Sequence, residues 1–169
     1  MTKSYKLAIY EKGASDATKL AIVLPGRLET KDYVHIKSHV DALSKLGFRA
    51  IAFDPPGTWE SPGEIDIYTV TNYLRAVNEI VEHYGNKPTL LVGHSLGGSV
   101  AALAGASNPY VIAYVGLMSL ASGPRVMEDP EWKADGKISF FRDLPPGDHH
   151  TSEQKHYYLP YTIVFLKTH

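Results

Sequence analysis

The chain has 169 residues, 44% of them hydrophobic and 21% charged, the proportions of one globular domain able to bury a sizeable core. Its 17 basic and 18 acidic side chains leave a formal net charge of -1, which supplies no long-range field to gather nucleic acid or an anionic membrane. The absence of cysteine excludes disulfides, thiolate metal sites and cysteine nucleophiles, and fits a reducing compartment such as the cytoplasm. No secretory signal is visible at the amino terminus, and no apolar run reaches the ~18 residues of a membrane span.

In chain order, apolar β-prone runs at Tyr5 to Tyr10, Leu20 to Leu24, Phe48 to Phe53, Thr89 to Val92 and Val111 to Leu120 are the predicted strands. Helical spacing joins Val34, Ile36, Val40, Leu43 and Leu46 before Gly47, and Val70 through Val81 and Tyr84 before Gly85. Each pattern stops at a glycine, as helices often do. A third helix is expected from Ser95 or Leu96 through small residues to Asn108-Pro109. Strands alternating with helices imply an α/β fold, with a mostly parallel sheet and helices on both faces. A single domain is expected, with a core over 1–122. Residues 123–169 are polar and proline-bearing and read as a cap-like or loop segment, and the terminal apolar run Thr162 to Leu166 is open to strand and helix readings alike.

Within Gly93-His94-Ser95-Leu96-Gly97-Gly98, Ser95 falls where a buried strand gives way to a helix. A hydroxyl is a weak nucleophile, and a sharp turn at the carboxyl end of a strand exposes it to a base and to substrate. Glycines two residues to either side remove side chains that would collide as strand and helix cross. The Leu96 N–H opens the helix, where unpaired amides favour a developing negative charge, and is the natural first oxyanion donor. His94 is read as a turn-lining or pocket-lining side chain rather than a base.

With these residues in view the chain resembles the α/β-hydrolase superfamily, in its serine-nucleophile, esterase and lipase-like branch, from about Lys19 to about Leu120. Ala21 to Arg27 is similar to the strand and loop that supply the second oxyanion N–H, here from Arg27, although Pro25 departs from the usual His-Gly. Phe53-Asp54-Pro55-Pro56-Gly57 is similar to the turn after the next strand, where the aspartate is expected to be structural. The resemblance implies a three-layer α/β-hydrolase-like sandwich. It also implies an acyl-enzyme on Ser95, with an oxyanion held by Arg27 and Leu96 and released by water. The resemblance further implies a carboxylic ester or related small-molecule acyl substrate, with no metal or other cofactor required.

The family order continues with an acid and a histidine, and the 49 residues after Leu120 hardly hold two further βαβ units of about 30 residues each. The reading is therefore of an amino-terminal portion, truncated at the carboxyl end, with self-association possible through an exposed sheet edge. Alternatively, His149, His150, His156 or His169 serves a rebuilt site. Asp148, His149, His150, Glu153 and His156 match no defined metal spacing, so no metal is assigned. A non-catalytic binding module that kept the pocket and lost the base is the alternative function. A nucleotide-binding fold is disfavoured, since G-x-G-x-x-G and G-K-[ST] are both missing.

Overall fold

The computed structural model of the protein describes residues 2–117, and residues 163–166 as backbone. The cap-like segment and His149, His150, His156 and His169 lie outside the described residues. The elements are β1 (Ile9–Lys12), β2 (Leu20–Leu24), α1 (Val34–Lys45), β3 (Arg49–Phe53), α2 (Val70–His83), β4 (Thr89–His94), α3 (Leu96–Ser107), β5 (Val111–Leu117) and β6 (Ile163–Leu166), with a short 3-10 turn at Ile65–Ile67. The strand order is β1-β3-β2-β4-β5-β6. The four inner strands run parallel, while β1 and β6 are antiparallel to their neighbours.

Alternation along the strands sorts the core into two layers. Leu20, Ile22 and Leu24 of β2 face one side with Ile51, Phe53 and Leu91, where Tyr73, Val77 and Ile80 of α2 and Val100, Ala101 and Ala104 of α3 cover them. Ala21 and Val23 face the other side with Ala50, Ala52 and Val92, under Ile36 and Val40 of α1. β2 is buried on both faces along its whole length, which is why its sequence reads as an unbroken apolar run. The chain is thus an α/β three-layer sandwich around a mostly parallel sheet.

Both glycine-terminated helices end as expected. After α1, Gly47 has φ +85° and the N–H of Phe48 bonds the carbonyl of Leu43. After α2, Gly85 has φ +85° and the N–H of Asn86 bonds the carbonyl of Val81. These paired reversals satisfy carbonyls that each helix would otherwise leave open. At its start, α2 is capped by the Thr69 side chain, which accepts the N–H of Asn72.

The first predicted strand is corrected. Pairing begins at Ile9, opposite Phe53, rather than at Tyr5. Upstream, Tyr5 is engaged in a turn with Thr2, and the N–H of Ala8 donates to the hydroxyl of Ser61 in the loop after β3. Tyr5 and Leu7 spend their apolar surface packing against the core, a use that mimics strand patterning. The ambiguous terminal run contains a strand: Ile163 to Leu166 pairs antiparallel with Ala113 to Gly116. Among the described residues no helix is long and apolar enough to cross a membrane.

Ile22 is fully buried at the centre of the larger layer. Ile22→Ala is expected to lower stability by about 2–5 kcal/mol in urea unfolding. A loss below about 1 kcal/mol would mean that the layer closes over the cavity.

Candidate active site

Ser95 sits between β4 and α3 with φ 50° and ψ -117°, a conformation that residues with a side chain rarely adopt. Such a residue costs on the order of 1–3 kcal/mol and persists only where its surroundings over-determine it. Here they do. A methyl at Gly93 would lie 2.3 Å from the Gly97 carbonyl oxygen, and one at Gly97 would lie 2.2 Å from the Leu24 carbonyl oxygen, so strand and helix meet at backbone contact. The Ser95 N–H donates to the Leu117 carbonyl at 2.8 Å, tying the turn to β5. Among the described residues nothing hydrogen-bonds the Ser95 hydroxyl.

The loop after β2 closes on this turn. A methyl at Gly26 would come within 3.1 Å of the Ser95 Cβ. Its carbonyls are held by tyrosines: the Tyr73 hydroxyl donates to the Pro25 oxygen at 3.0 Å, and the Tyr68 hydroxyl to the Gly26 oxygen at 3.4 Å. Burial first, with lesser repulsion from Tyr68, Glu29 and Asp54, holds the Tyr73 hydroxyl protonated well above its ordinary range, so it remains a donor. In a trans peptide the N–H points opposite to the preceding carbonyl, so fixing the Gly26 oxygen fixes the direction of the Arg27 N–H. Neither the Arg27 N–H nor the Leu96 N–H has an acceptor among the described residues.

Glu29, His35 and His94 meet behind the loop. One Glu29 carboxylate oxygen, Oε2, accepts from the Gly26 N–H at 2.5 Å and from Nδ1 of His94 at 2.7 Å. The other, Oε1, lies 3.4 Å from Nε2 of His35. The two imidazoles stand edge to face, 5.2 Å apart. Burial raises the Glu29 carboxyl, but the polar contacts of His35, His94 and the Gly26 N–H outweigh it. The group is held well below the usual carboxylate range. These three side chains offer ligand atoms within 4.8 Å of one another and are the described residues best arranged to hold a metal ion. A hydrogen bond joins His94 to Glu29 within this group.

Asp54 is fully buried and structural. Its carboxylate accepts from the Thr30 hydroxyl at 2.9 Å, the Lys31 N–H at 2.8 Å and the Glu60 N–H at 3.3 Å, with Nζ of Lys31 at 3.3 Å. It ties the turn after β3 to the loop after β2. Beside that loop are two exposed apolar side chains, Leu28 and Trp59, both with positive φ, and the Trp59 indole N–H donates to the Leu28 carbonyl at 3.1 Å.

The structure therefore brings Ser95, Arg27 and Leu96 to one end of the sheet. Glu29 and His35 were not marked by the sequence. Nothing in a linear reading links a glutamate to a histidine 65 positions away, and a glutamate three residues after a Pro-Gly turn is an ordinary loop residue.

This strand-turn-helix serine, with a backbone loop seated against it, defines a class. Residues 21–142 match the model of the alpha/beta hydrolase fold, and the chain belongs to that family. It is similar to a mitochondrial palmitoyl-protein thioesterase of Mus musculus, 31% identical over 103 residues, covering 60% of this chain and 35% of that protein. It is also similar to a putative carbamate hydrolase of Variovorax paradoxus, 34% identical over 84 residues, covering 49% of this chain and 32% of that protein. The matches thus span about a third of the length of these curated relatives. Among solved structures, alpha/beta hydrolase domain-containing protein 10 from mouse shares the fold with TM-score 0.63 at 24% identity, over 98% of this chain and 64% of that one.

Because the folded Glu29 carboxyl titrates below its ordinary value of 4.5, its contribution to stability is complete above that value. The contribution is lost progressively as pH falls below 4.5 toward the lower, folded value. Between pH 7 and pH 3 the wild-type chain should lose more stability than Glu29→Gln in urea titrations, and equal losses would contradict the assignment.

Proposed function

We propose that the chain carries the nucleophile and oxyanion site of a serine acyl hydrolase acting on a carboxylic ester or thioester. A base removes the Ser95 hydroxyl proton as Oγ bonds to the carbonyl carbon. The negative charge that develops on the carbonyl oxygen is held by the amides of Leu96 and Arg27, and the leaving alcohol or thiol departs with the proton. Water then attacks the acyl-enzyme, releasing the acid and restoring Ser95. In a rebuilt site, His149, His150, His156 or His169 would supply the base.

The observation that carries this reading is the strained Ser95 with Gly26 seated against its Cβ. Forcing a serine to φ 50° beside open amide donors has a chemical use and no structural one. Exposed Leu28 and Trp59 beside the oxyanion loop support an apolar acyl group, and the palmitoyl-protein thioesterase name of the mouse relative is in keeping with it. The near-neutral charge supports a small-molecule substrate over nucleic acid or a membrane, and the cysteine-free composition supports the cytoplasm. The second reading, a binding module on a hydrolase fold, is favoured by one feature: no described residue hydrogen-bonds the Ser95 hydroxyl.

The test is labelling with a fluorophosphonate together with hydrolysis of short and long p-nitrophenyl esters. Wild type is expected to gain one adduct on Ser95 and to turn over. Ser95→Ala should lose the adduct and on the order of 10³-fold or more in rate. Failure of the wild-type chain to label would overturn the serine-hydrolase reading in favour of the binding module.

A further inference from the structure

We propose that Glu29 is a positioning residue whose carboxylate latches the oxyanion loop to the nucleophile turn. The inference rests on Arg27 and Leu96 being the oxyanion donors. A single oxygen, Oε2, is shared by the N–H of Gly26 and Nδ1 of His94. Gly26 directly precedes Arg27, the loop donor, and His94 directly precedes Ser95, the nucleophile, which in turn precedes Leu96. One atom therefore couples the two stretches of chain whose separation sets the oxyanion hole.

The coupling has little freedom. Gly26 is held at its N–H by Glu29 Oε2 and at its carbonyl by the N–H of Glu29 and the Tyr68 hydroxyl, so the peptide that carries the Arg27 N–H cannot turn about its long axis. A side chain at Gly26 would strike the same carboxylate, 2.7 Å from the added carbon. Nε2 of His35, at the start of α1, lies 3.4 Å from the other oxygen, Oε1. Donation to Glu29 requires the proton of the His94 ring on Nδ1, a tautomer assigned from this partner. The carboxylate is suited to this task and poorly suited to acid–base work, because both of its oxygens face donors and it is held ionised.

Charge-assisted bonds of this kind are about twice as strong as neutral ones, and a displacement of about 1 Å in a catalytic group can cost on the order of 10²-fold in rate. The test reads two quantities in the full chain: the amide hydrogen exchange of Gly26, and the second-order rate of fluorophosphonate labelling at Ser95. Glu29→Ala and His94→Ala should each speed Gly26 exchange and slow labelling about 10–100-fold, while Ile22 and Val92 in the core exchange as in wild type. Asparagine carries an N–H close to the position of Nδ1, so His94→Asn should recover most of both losses.

Wild-type exchange at Gly26 in Glu29→Ala would overturn the latch. So would His94→Asn behaving as His94→Ala, or acceleration at Ile22 and Val92 as large as that at Gly26, which would mean that Glu29 supports the whole fold. If the wild-type chain does not label at all, the serine-hydrolase reading fails, and Gly26 exchange alone still decides the latch.

Discussion

Gly93 and Gly97 leave no space for a Cβ, and the strand-to-helix turn between them exists because of it. β4 and α3 approach until the backbone of Gly97 rests on the carbonyls of Leu24 and Pro25, and the one residue caught at the apex is Ser95, with φ 50°. The strain at that residue is offset by the buried sheet on either side, where β2 and β4 are zipped in parallel from Leu20 opposite Thr89 to Leu24 opposite Gly93. Everything else near the site is arranged with respect to this contact.

The loop after β2 shows how the core reaches the chemistry. Tyr73 projects from α2 through the larger apolar layer, stacks edge to face on Phe53 and delivers its hydroxyl to the Pro25 carbonyl. Tyr68 does the same for Gly26 from just before α2. The carbonyls of Pro25 and Gly26 thus find hydroxyl donors, and fixing the Gly26 carbonyl fixes the direction of the Arg27 N–H. Asp54 and Lys31, both buried, fasten the outer part of the same loop in a network that reaches the exposed Asp32 and Glu60; burial lowers the Lys31 ammonium, but these bonds outweigh it and raise it above its ordinary range. A buried lysine surrounded by three carboxylates positions backbone and is far from suited to proton transfer.

Much of this was legible in the sequence, for physical reasons that differ element by element. β2 and β4 announce themselves because both faces are buried, and α1 and α2 because their apolar stripes stop at Gly47 and Gly85, which must take positive φ. Ser95 and its glycines were readable because backbone collision leaves a compositional trace. The start of β1 was misread at Tyr5, because an apolar residue packed beneath a helix and one facing a sheet look alike in a short run. The strand at Ile163 to Leu166 could not be told from a helix, since its identity depends on pairing with β5. The Glu29–His94 pair left no trace, because hydrogen bonds between distant polar residues impose no period. Asp54 carried a recognisable turn, and its partners Thr30 and Lys31 did not.

The chain belongs to the alpha/beta hydrolase family, and in the function proposed for it geometry, more than any single side chain, does the preparatory chemistry: a strained serine would face amides whose direction is set by tyrosine hydroxyls and a carboxylate. The central claim is that Ser95 and the amides of Arg27 and Leu96 converge on one point. A crystal structure of the chain with an arylboronic acid tests it most directly. Boron is expected bonded to Ser95 Oγ, with one boronate oxygen about 2.7–3.1 Å from both amide nitrogens. A boronate oxygen turned to solvent, with neither amide within hydrogen-bonding distance, would contradict it.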